Sequence, residues 1–284
     1  MELRKATRQK AKIRLGLSAV SGGGKTYSAI LIAKGLANGD LSKVVMIDTE
    51  NGSGDLYAHL GDYNVLPLEA PYAPENYIKA IKTCEDAGME VIIIDSITHE
   101  WNGKGGILDI HGSMTGNSFT NWAVVTPRHE KFKEAILTSK CHIITTVRRK
   151  QDYDMVKDGN KTIINKVGLK EETREGFEYE LTVNLELDQK HNASSSKDRT
   201  GLFSGQPNFV PSEETGKMIL EWCESGAAPI VRDIEKELKS CKDLISLQSL
   251  YTSLSANEKI TYLSIKDEMK VKLNPKVKEE PANV

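Results

Sequence analysis

The stretch IRLGLSAVSGGGKT at residues 13–26 decides the predicted fold. Its apolar first part, 13–18, predicts a strand, and residues 25–37 carry apolar side chains at helical spacing. Between them, residues 19–26 fit A-x-x-x-x-G-K-T, a relaxed Walker A pattern with Ala19 where the strict pattern has glycine. Glycines let successive backbone N–H groups face one anion, and the helix N-terminus adds unsatisfied donors. The stretch therefore predicts a phosphate-binding turn between a strand and a helix.

ATP and Mg²⁺ are the ligands that this turn predicts. In such a turn Lys25 reaches the β- and γ-phosphates, and the Thr26 hydroxyl ligates Mg²⁺. The alternative is a glycine-rich strand-to-helix turn with a chance Lys-Thr pair. The predicted nucleotide contacts are Ser21, Gly22, Gly23, Gly24, Lys25, Thr26 and Tyr27.

Two carboxylates end later apolar segments and complete the predicted site. The segment VIIID at 91–95 has the form of a Walker B strand, so Asp95 is expected to hold Mg²⁺ together with Thr26. The segment IDTE at 47–50 places Glu50 after the second predicted strand, where a carboxylate can take a proton from attacking water. Glu50 is the predicted catalytic base. The alternatives are a helix-capping role for Asp95 and a solvated loop position for Glu50.

The rest of the chain predicts an α/β fold, because short apolar runs alternate with amphipathic stretches up to about residue 150. We expect a mostly parallel twisted sheet flanked by helices, with antiparallel strands at its edge. The predicted strands are 43–48, 90–95, 141–147, 177–187 (antiparallel, towards an edge) and 199–203. The predicted helices are 74–87, 121–139 and 212–224, with a glycine-rich loop at 102–117 and a hairpin turning at 158–160.

Four segments are expected along the chain. They are a basic lead-in at 1–11, an ATPase core at 12–225, a C-terminal helical hairpin at 226–273 and a disordered tail at 274–284. The lead-in and first strand carry six Lys or Arg side chains within residues 1–14, which suit either phosphate binding or a solvated approach to the strand.

Composition excludes several classes of protein. The net charge is −2, which does not indicate a basic field over the whole chain, and no apolar run approaches the roughly 20 residues of a membrane span. The N-terminus lacks the apolar region of a secretory signal. Because no apolar run is long enough to span a bilayer, no membrane contact is expected. The four cysteines show no CxxC spacing, so we expect reduced thiols in a cytoplasmic protein.

The constellation A-x-x-x-x-G-K-T, I-D-x-E and h-h-h-h-D-S resembles the RecA/KaiC-like branch of P-loop ATPases. The resemblance implies a RecA-like core, a catalytic glutamate at Glu50 and a homo-oligomer in the form of a ring or filament. It implies a γ-phosphate sensor at Thr146, where the family usually has a polar residue, often Gln. Lys197-Asp198-Arg199 resembles the K-x-R finger of this branch, whose cations act on a neighbouring subunit's nucleotide. A surface strand carrying two cations is the alternative.

More narrowly, residues 12–225 look like phage-encoded AAA-type ATPases of the single-strand annealing and recombination group. That likeness implies single-stranded DNA as a partner. The loop beginning at Arg148, Arg149 and Lys150 and running to Lys166 carries cations that suit phosphate contact. Interleaved acids leave a solvated basic hairpin as the alternative.

Two other functions stay open from the sequence. A small-molecule kinase would use Arg148 and Arg149 as a lid, but it gives no role to Glu50 or the K-x-R pattern. An ATP-dependent assembly scaffold would not act on DNA. The C-terminal helices are expected to pack on the core or a neighbouring subunit, or to recruit a protein partner.

Overall fold

The computed structural model describes residues 5–158, 161–227, 233–254 and 256–274. The chain divides into two compact units, Met1–Ala227 and Ala228–Val284. The elements of the first unit are β1 (Arg14–Ala19), α1 (Lys25–Leu36), β2 (Val44–Asp48), β3 (Asn64–Pro67), α2 (Pro74–Asp86), β4 (Val91–Asp95), α3 (Thr98–Asn102), α4 (Ile107–Ser113), α5 (Ser118–Thr138), β5 (His142–Asp158), β6 (Lys161–Glu171), β7 (Val183–Leu187), β8 (Ala193–Asp198) and α6 (Glu213–Glu224). Short 3₁₀ turns lie at Leu41–Lys43, Gly54–Leu60 and Phe177–Tyr179.

The strands form one mixed sheet in the order β3-β2-β4-β5-β1-β7-β8, with β6 paired to β5 outside this path. Every pairing from β3 to β7 is parallel, and β8 runs antiparallel to β7 at the edge. The predicted α/β fold with a mostly parallel sheet is therefore confirmed. Because these strands are parallel, the segments after β1, β2 and β4 lie close together, beside the point in β5 where its pairing with β1 ends at Arg148.

Alternating side chains divide the apolar core between the two faces of the sheet. Leu15, Leu17 and Met46 face α1 and α6, whereas Ile47 and Ile92 face α2 and α5. Strands that are buried on both faces explain the continuous apolar runs of the sequence.

Helices α1 and α6 approach each other closely through two glycines. A Cβ on Gly216 would lie 2.1 Å from the carbonyl oxygen of Ile32, and a Cβ on Gly35 would lie 2.1 Å from that of Glu213. The absence of side chains at these two positions lets the backbones meet. The contact fixes the start of α6 against the helix that follows the phosphate-binding turn.

The segment 177–187 lies towards an edge of the sheet, as predicted, but differs from its prediction in length and direction. Strand β7 covers only Val183–Leu187, is parallel to β1, and is covered on its outer side by β8. Its polar alternate residues bind other side chains: Asn184 is 1% exposed and donates hydrogen bonds to Glu171 and Ser196, and the partly exposed Glu186 pairs with Arg149. Alternation therefore reflected buried polar contacts rather than a solvent-facing edge.

Two further predictions of secondary structure were wrong, and one strand was missed. The edge strand is β8, not 199–203, because the serine-rich stretch ASSSKD has no apolar pattern to predict it. The loop at 102–117 contains α4, which contributes His111 to a stack on Trp122, itself stacked on Trp101. Strand β3 was not predicted. The hairpin of β5 and β6 is confirmed to the Asp158–Lys161 pair, while residues 159 and 160 of its turn lie outside the described residues.

The described part of the basic lead-in contacts the end of α6. Lys10 pairs with Glu224, and the Arg8 guanidinium lies 4.5 Å from the centroid of the Trp222 ring. Arg14, in β1, donates hydrogen bonds to the carbonyl oxygens of Leu137 and Cys141 beside the end of α5. These cations bind their own chain, which favours a structural role over phosphate binding.

The second unit contains four helices in its described residues, where two were predicted. They are α7 (Ile234–Ser240), α8 (Leu244–Ser253), α9 (Ala256–Thr261) and α10 (Leu263–Leu273). Asp233 and Asp243 each accept a hydrogen bond from a backbone N–H, so each begins a separate helix. The predicted tail at 274–284 lies outside the described residues except for Asn274. Among the helices that the structure describes, none is long and apolar enough to span a membrane.

Candidate nucleotide site

A cavity of about 770 Å³ opens at the edge of the sheet where β1, β2 and β4 end and where β5 continues into the hairpin. This volume lies within the range of small-molecule sites, roughly 300–1,000 Å³. The cavity brings together most of the predicted site residues. Its lining is Ser21, Gly22, Gly24, Lys25, Thr26, Tyr27, Ser28, Leu31, Glu50, Ser53, Tyr57, Asp95, Arg148, His191, Val210, Pro211 and Ser212.

The phosphate-binding turn has the backbone conformation that its glycines predict. Gly22 and Gly24 have φ angles of 79° and 83°, and Gly24 is the N-cap of α1. Only glycine adopts such angles at little cost. Lys25 donates to the carbonyl oxygens of Ala19 and Val20, each at 3.1 Å, and burial lowers the pKa of its ammonium group. A polyanion in the turn would offset this unfavourable burial of a cation.

Asp95 lines the cavity and accepts hydrogen bonds from two threonine hydroxyls. The Thr26 hydroxyl donates to its Oδ2 at 2.6 Å, and the Thr146 hydroxyl donates to Oδ1. Asp95 is 2% exposed, and burial raises the pKa of its carboxyl group while the two hydroxyls oppose the rise. Thr146 is fully buried behind Asp95 and does not line the cavity. Its hydroxyl therefore holds Asp95. A γ-phosphate sensor would instead face the cavity.

Glu50 enters the cavity from the end of β2, which is separated from β1 by β4 and β5. The backbone N–H of Glu50 donates to Asp48 at 2.7 Å, and Asp48 also accepts from Gly54 N–H at 3.0 Å. Asp48 thus holds the backbone of the loop that carries Glu50. The Ser96 hydroxyl, next to Asp95, donates to Glu50 Oε1 at 3.0 Å.

Arg148 lies in the cavity and not on the outer surface of the hairpin. Its Nε lies 3.1 Å from Glu50 Oε1, and its Nη2 contacts Oε2. The predicted base and a predicted DNA contact therefore form a two-pronged ion pair. This pairing joins residues 98 positions apart and could not be seen in the sequence.

Two of the three other predicted DNA contacts, Arg149 and Lys150, are already paired within the chain. Arg149 pairs with Glu186 at 2.6 Å, and Lys150 pairs with Glu172 at 3.1 Å. The side chain of Lys166 lies outside the described residues. The Lys150 side chain is 66% exposed, and exposed ion pairs are weak, so a phosphate would compete with Glu172 for this cation in a salt-dependent way.

Lys197 and Arg199 lie at the end of β8 and do not line the cavity. Both side chains bind one acceptor, the carbonyl oxygen of Tyr179; Arg199 Nη2 does so at 3.2 Å. Burial and the neighbouring Arg199 lower the pKa of Lys197. Two cations thus converge at a place remote from the chain's own phosphate-binding turn.

The residues present fit a magnesium nucleotide. Mg²⁺ takes oxygen ligands, commonly one or two carboxylates together with phosphates and water. Thr26 and Asp95 supply a hydroxyl and a carboxylate at one point beside the phosphate-binding turn. Among the described residues, no group of three or more His, Cys, Asp or Glu side chains would hold a metal without such a partner.

The sequence model of one family, described as AAA domain, matches residues 11–211. The chain belongs to the AAA-domain family. A comparison with curated proteins finds no match. The matched range of this AAA domain runs from the residues before β1 to the residues before α6 and contains every predicted site residue. The family is one of nucleotide-binding P-loop ATPases, in agreement with the observed α/β fold and the phosphate-binding turn.

Several lining residues of the AAA domain were missed by sequence reasoning. Leu31, Tyr57 and Val210 give the cavity an apolar side, and the Tyr57 and Tyr27 rings meet edge to face with centroids 6.1 Å apart. His191, in the turn between β7 and β8, lies beside Gly24. A Cβ added to Gly24 would be 2.7 Å from the His191 Nδ1. These residues are contributed by separate loops without a shared motif.

Proposed function

We propose that this chain hydrolyses ATP in the cavity and uses hydrolysis to act on single-stranded DNA as a homo-oligomer. In this proposal it belongs to the RecA/KaiC-like branch and resembles phage recombination ATPases that promote annealing or strand pairing. The observation that carries the proposal is that Lys25, Glu50 and Asp95, from the ends of three different strands, line one cavity.

The hydrolytic step assigns one role to each of these side chains. The oxygen of a water molecule forms a bond to the γ-phosphorus, and the bond from that phosphorus to the bridging oxygen breaks, which releases ADP and phosphate. Glu50 accepts the proton of the attacking water. Lys25 and the backbone N–H groups of the turn offset charge on the phosphate oxygens. Mg²⁺, held by Thr26 and Asp95, would offset further charge on those oxygens.

Lys197 and Arg199 support the oligomeric part of the proposal. They meet at the Tyr179 carbonyl and do not line the cavity of their own chain, so they are available to a nucleotide bound by a neighbour. Cations that contact the γ-phosphoryl from another subunit stabilise the transition state only after assembly. This arrangement would couple hydrolysis to subunit contact.

The hairpin of β5 and β6 supports the DNA part. It continues a central strand beyond the sheet, and its base begins at Arg148, the residue that contacts Glu50. Contact between DNA and the hairpin would thus act close to the hydrolytic site. In the C-terminal unit, Ile245 and Ile260 are 83% and 77% exposed and would suit a protein partner.

The test is phosphate release from ATP across protein concentration, with and without single-stranded DNA, at low and moderate salt. We expect a rate per subunit that rises with concentration and rises again with DNA, most strongly at low salt. A rate unchanged by both would leave hydrolysis in place and remove the oligomeric DNA function. Wild-type protein that released no phosphate under any condition would remove the ATPase assignment itself.

A further inference from the structure

Arg148 occupies the junction between the sheet and the hairpin. It is the last residue of β5 paired with β1, opposite Ala19, and the next residue pairs with β6. Its N–H donates to the Thr98 hydroxyl at 2.9 Å, and its carbonyl oxygen accepts from Glu172 N–H at 2.8 Å. The backbone is therefore fixed on both sides, and rotation of the side chain is the simplest way to release Glu50.

The pair with Glu50 occupies the atoms that the base would use. The guanidinium binds both carboxylate oxygens, and the Ser96 hydroxyl binds one of them as well. A carboxylate held in this way has few lone pairs left for a proton from water. The Arg148 side chain is 40% exposed and that of Glu50 is 20% exposed. Both side chains line the cavity and are only partly buried, so an anion bound there can reach the guanidinium and compete with the carboxylate for it.

We propose that Arg148 exchanges the Glu50 carboxylate for the terminal phosphate of ATP, so that it distinguishes ATP from ADP and frees the base only when ATP is bound. The inference rests on the proposed role of Glu50 in hydrolysis. A guanidinium fork fits carboxylate and phosphate oxygens equally well in geometry, and a γ-phosphate carries more charge than a carboxylate. ADP lacks this group and would leave the ion pair intact. Arg148 is better placed for this contact than Thr146, whose hydroxyl donates to Asp95 and which does not line the cavity.

Removing the charge of residue 50, as in Glu50→Gln, should strengthen the binding of an ATP analogue. In that variant the ion pair between Arg148 and residue 50 is absent, so ATP does not have to displace a carboxylate. A non-hydrolysable ATP analogue should therefore bind at least about threefold more tightly than it binds to wild type. The affinity for ADP should change less. Arg148→Ala should weaken the analogue by about tenfold or more, the usual size of a hydrogen-bonded charge contact. In the double variant Arg148→Ala/Glu50→Gln the gain from Glu50→Gln should vanish.

The matched control is the Arg128–Glu75 pair on α5 and α2. It has the same two-pronged geometry, with both distances at 2.8 Å, and lies away from the cavity. Arg128→Ala and Glu75→Gln should leave both affinities within about twofold of wild type, as expected for a surface pair.

The experiment is a titration of wild type, these five variants and Lys25→Ala with a fluorescent non-hydrolysable ATP analogue and with fluorescent ADP, without DNA. The inference is overturned if Glu50→Gln binds the analogue no more tightly than wild type, or if Arg148→Ala weakens ADP as much as the analogue. Failure of the proposed function would look different from failure of this inference. If the cavity did not bind ATP at all, wild type would bind the analogue no better than Lys25→Ala.

Discussion

The hydroxyl of Thr26 donates a hydrogen bond to Asp95 across 2.6 Å and so joins the start of α1 to the end of β4. The two strands that lead to these residues are not neighbours, because β5 lies between β1 and β4. Strand β5 also supplies Thr146, which binds the other oxygen of Asp95. The intervening strand therefore fixes the carboxylate that the phosphate-binding turn contacts.

Replacing Asp95 should remove the dependence of nucleotide binding on magnesium. In Asp95→Asn the amide is a poor ligand for Mg²⁺, so we expect ADP affinity in Mg²⁺ to fall by about tenfold or more towards the value in EDTA. The measurement is a fluorescent ADP titration in each buffer. Asp86→Asn, on the exposed face of α2, is the control and should keep the wild-type response. An Mg²⁺ response of wild-type size in Asp95→Asn would exclude this carboxylate as a metal ligand.

Mixing two inactive variants should restore activity if Lys197 and Arg199 act on a neighbour. Lys25→Ala lacks a working turn but keeps the cations, whereas Arg199→Ala keeps the turn and lacks one of them. In a head-to-tail assembly mixed one to one, about a quarter of the interfaces join an intact turn to an intact Arg199. Turnover should approach that share of the wild-type rate. Turnover equal to the average of the two separate variants would mean that Arg199 does not act in trans.

Gly216→Ala should destabilise the protein, because its Cβ would lie 2.1 Å from the Ile32 carbonyl oxygen. Overpacking of this kind costs about 1–3 kcal/mol. Gly112→Ala in α4 is the matched control, since a Cβ there meets no atom within 4 Å and alanine favours helices. Urea unfolding of both variants measures the difference. Equal stability of Gly216→Ala and wild type would show that the α1–α6 contact relaxes freely.

The local motifs were predictable, whereas the contacts between them were not. The phosphate-binding turn depends on consecutive residues, so its glycines and Lys25 could be recognised in the sequence. Glu50, after β2, and Arg148, within β5, come together only through the order of the strands in the sheet, which cannot be read from the sequence. The Glu50–Arg148 pair was therefore missed, and Arg148 was predicted as a DNA contact.

The wrong prediction at β7 also has its cause in contacts between distant segments. Alternating polarity predicts a half-exposed strand only when the polar side faces water. Here Asn184 is buried against Glu171 and Ser196, and β8 covers the strand. Those partners come from other segments, so a local pattern could not distinguish buried polar contacts from solvent exposure.

Acid should destabilise the fold through His142. This side chain is 1% exposed, its Nδ1 accepts from Ile13 N–H at 3.2 Å, and burial with nearby Lys12 and Arg14 lowers its pKa to about 3. An unfolded histidine titrates near about 6.5, so protons favour the unfolded chain below that pH and down to the folded pKa.

The expected loss is up to about 1.4 kcal/mol of unfolding free energy per pH unit over that window. Urea unfolding of wild type and His142→Gln from pH 7.5 to pH 5 isolates this contribution, because other groups titrate in both proteins. The stability difference between them should narrow as the pH falls. Parallel profiles would show that His142 does not contribute to the acid response.

The most direct test of the account is to measure ATP turnover and ATP binding together for Glu50→Gln. If Glu50 takes the proton from water, turnover should fall by about a hundredfold or more, within the usual size of general-base catalysis. ATP binding should be retained, because Lys25, the phosphate-binding turn and Asp95 are unchanged. Glu50→Gln protein that hydrolysed ATP at the wild-type rate would contradict the assignment of the hydrolytic site.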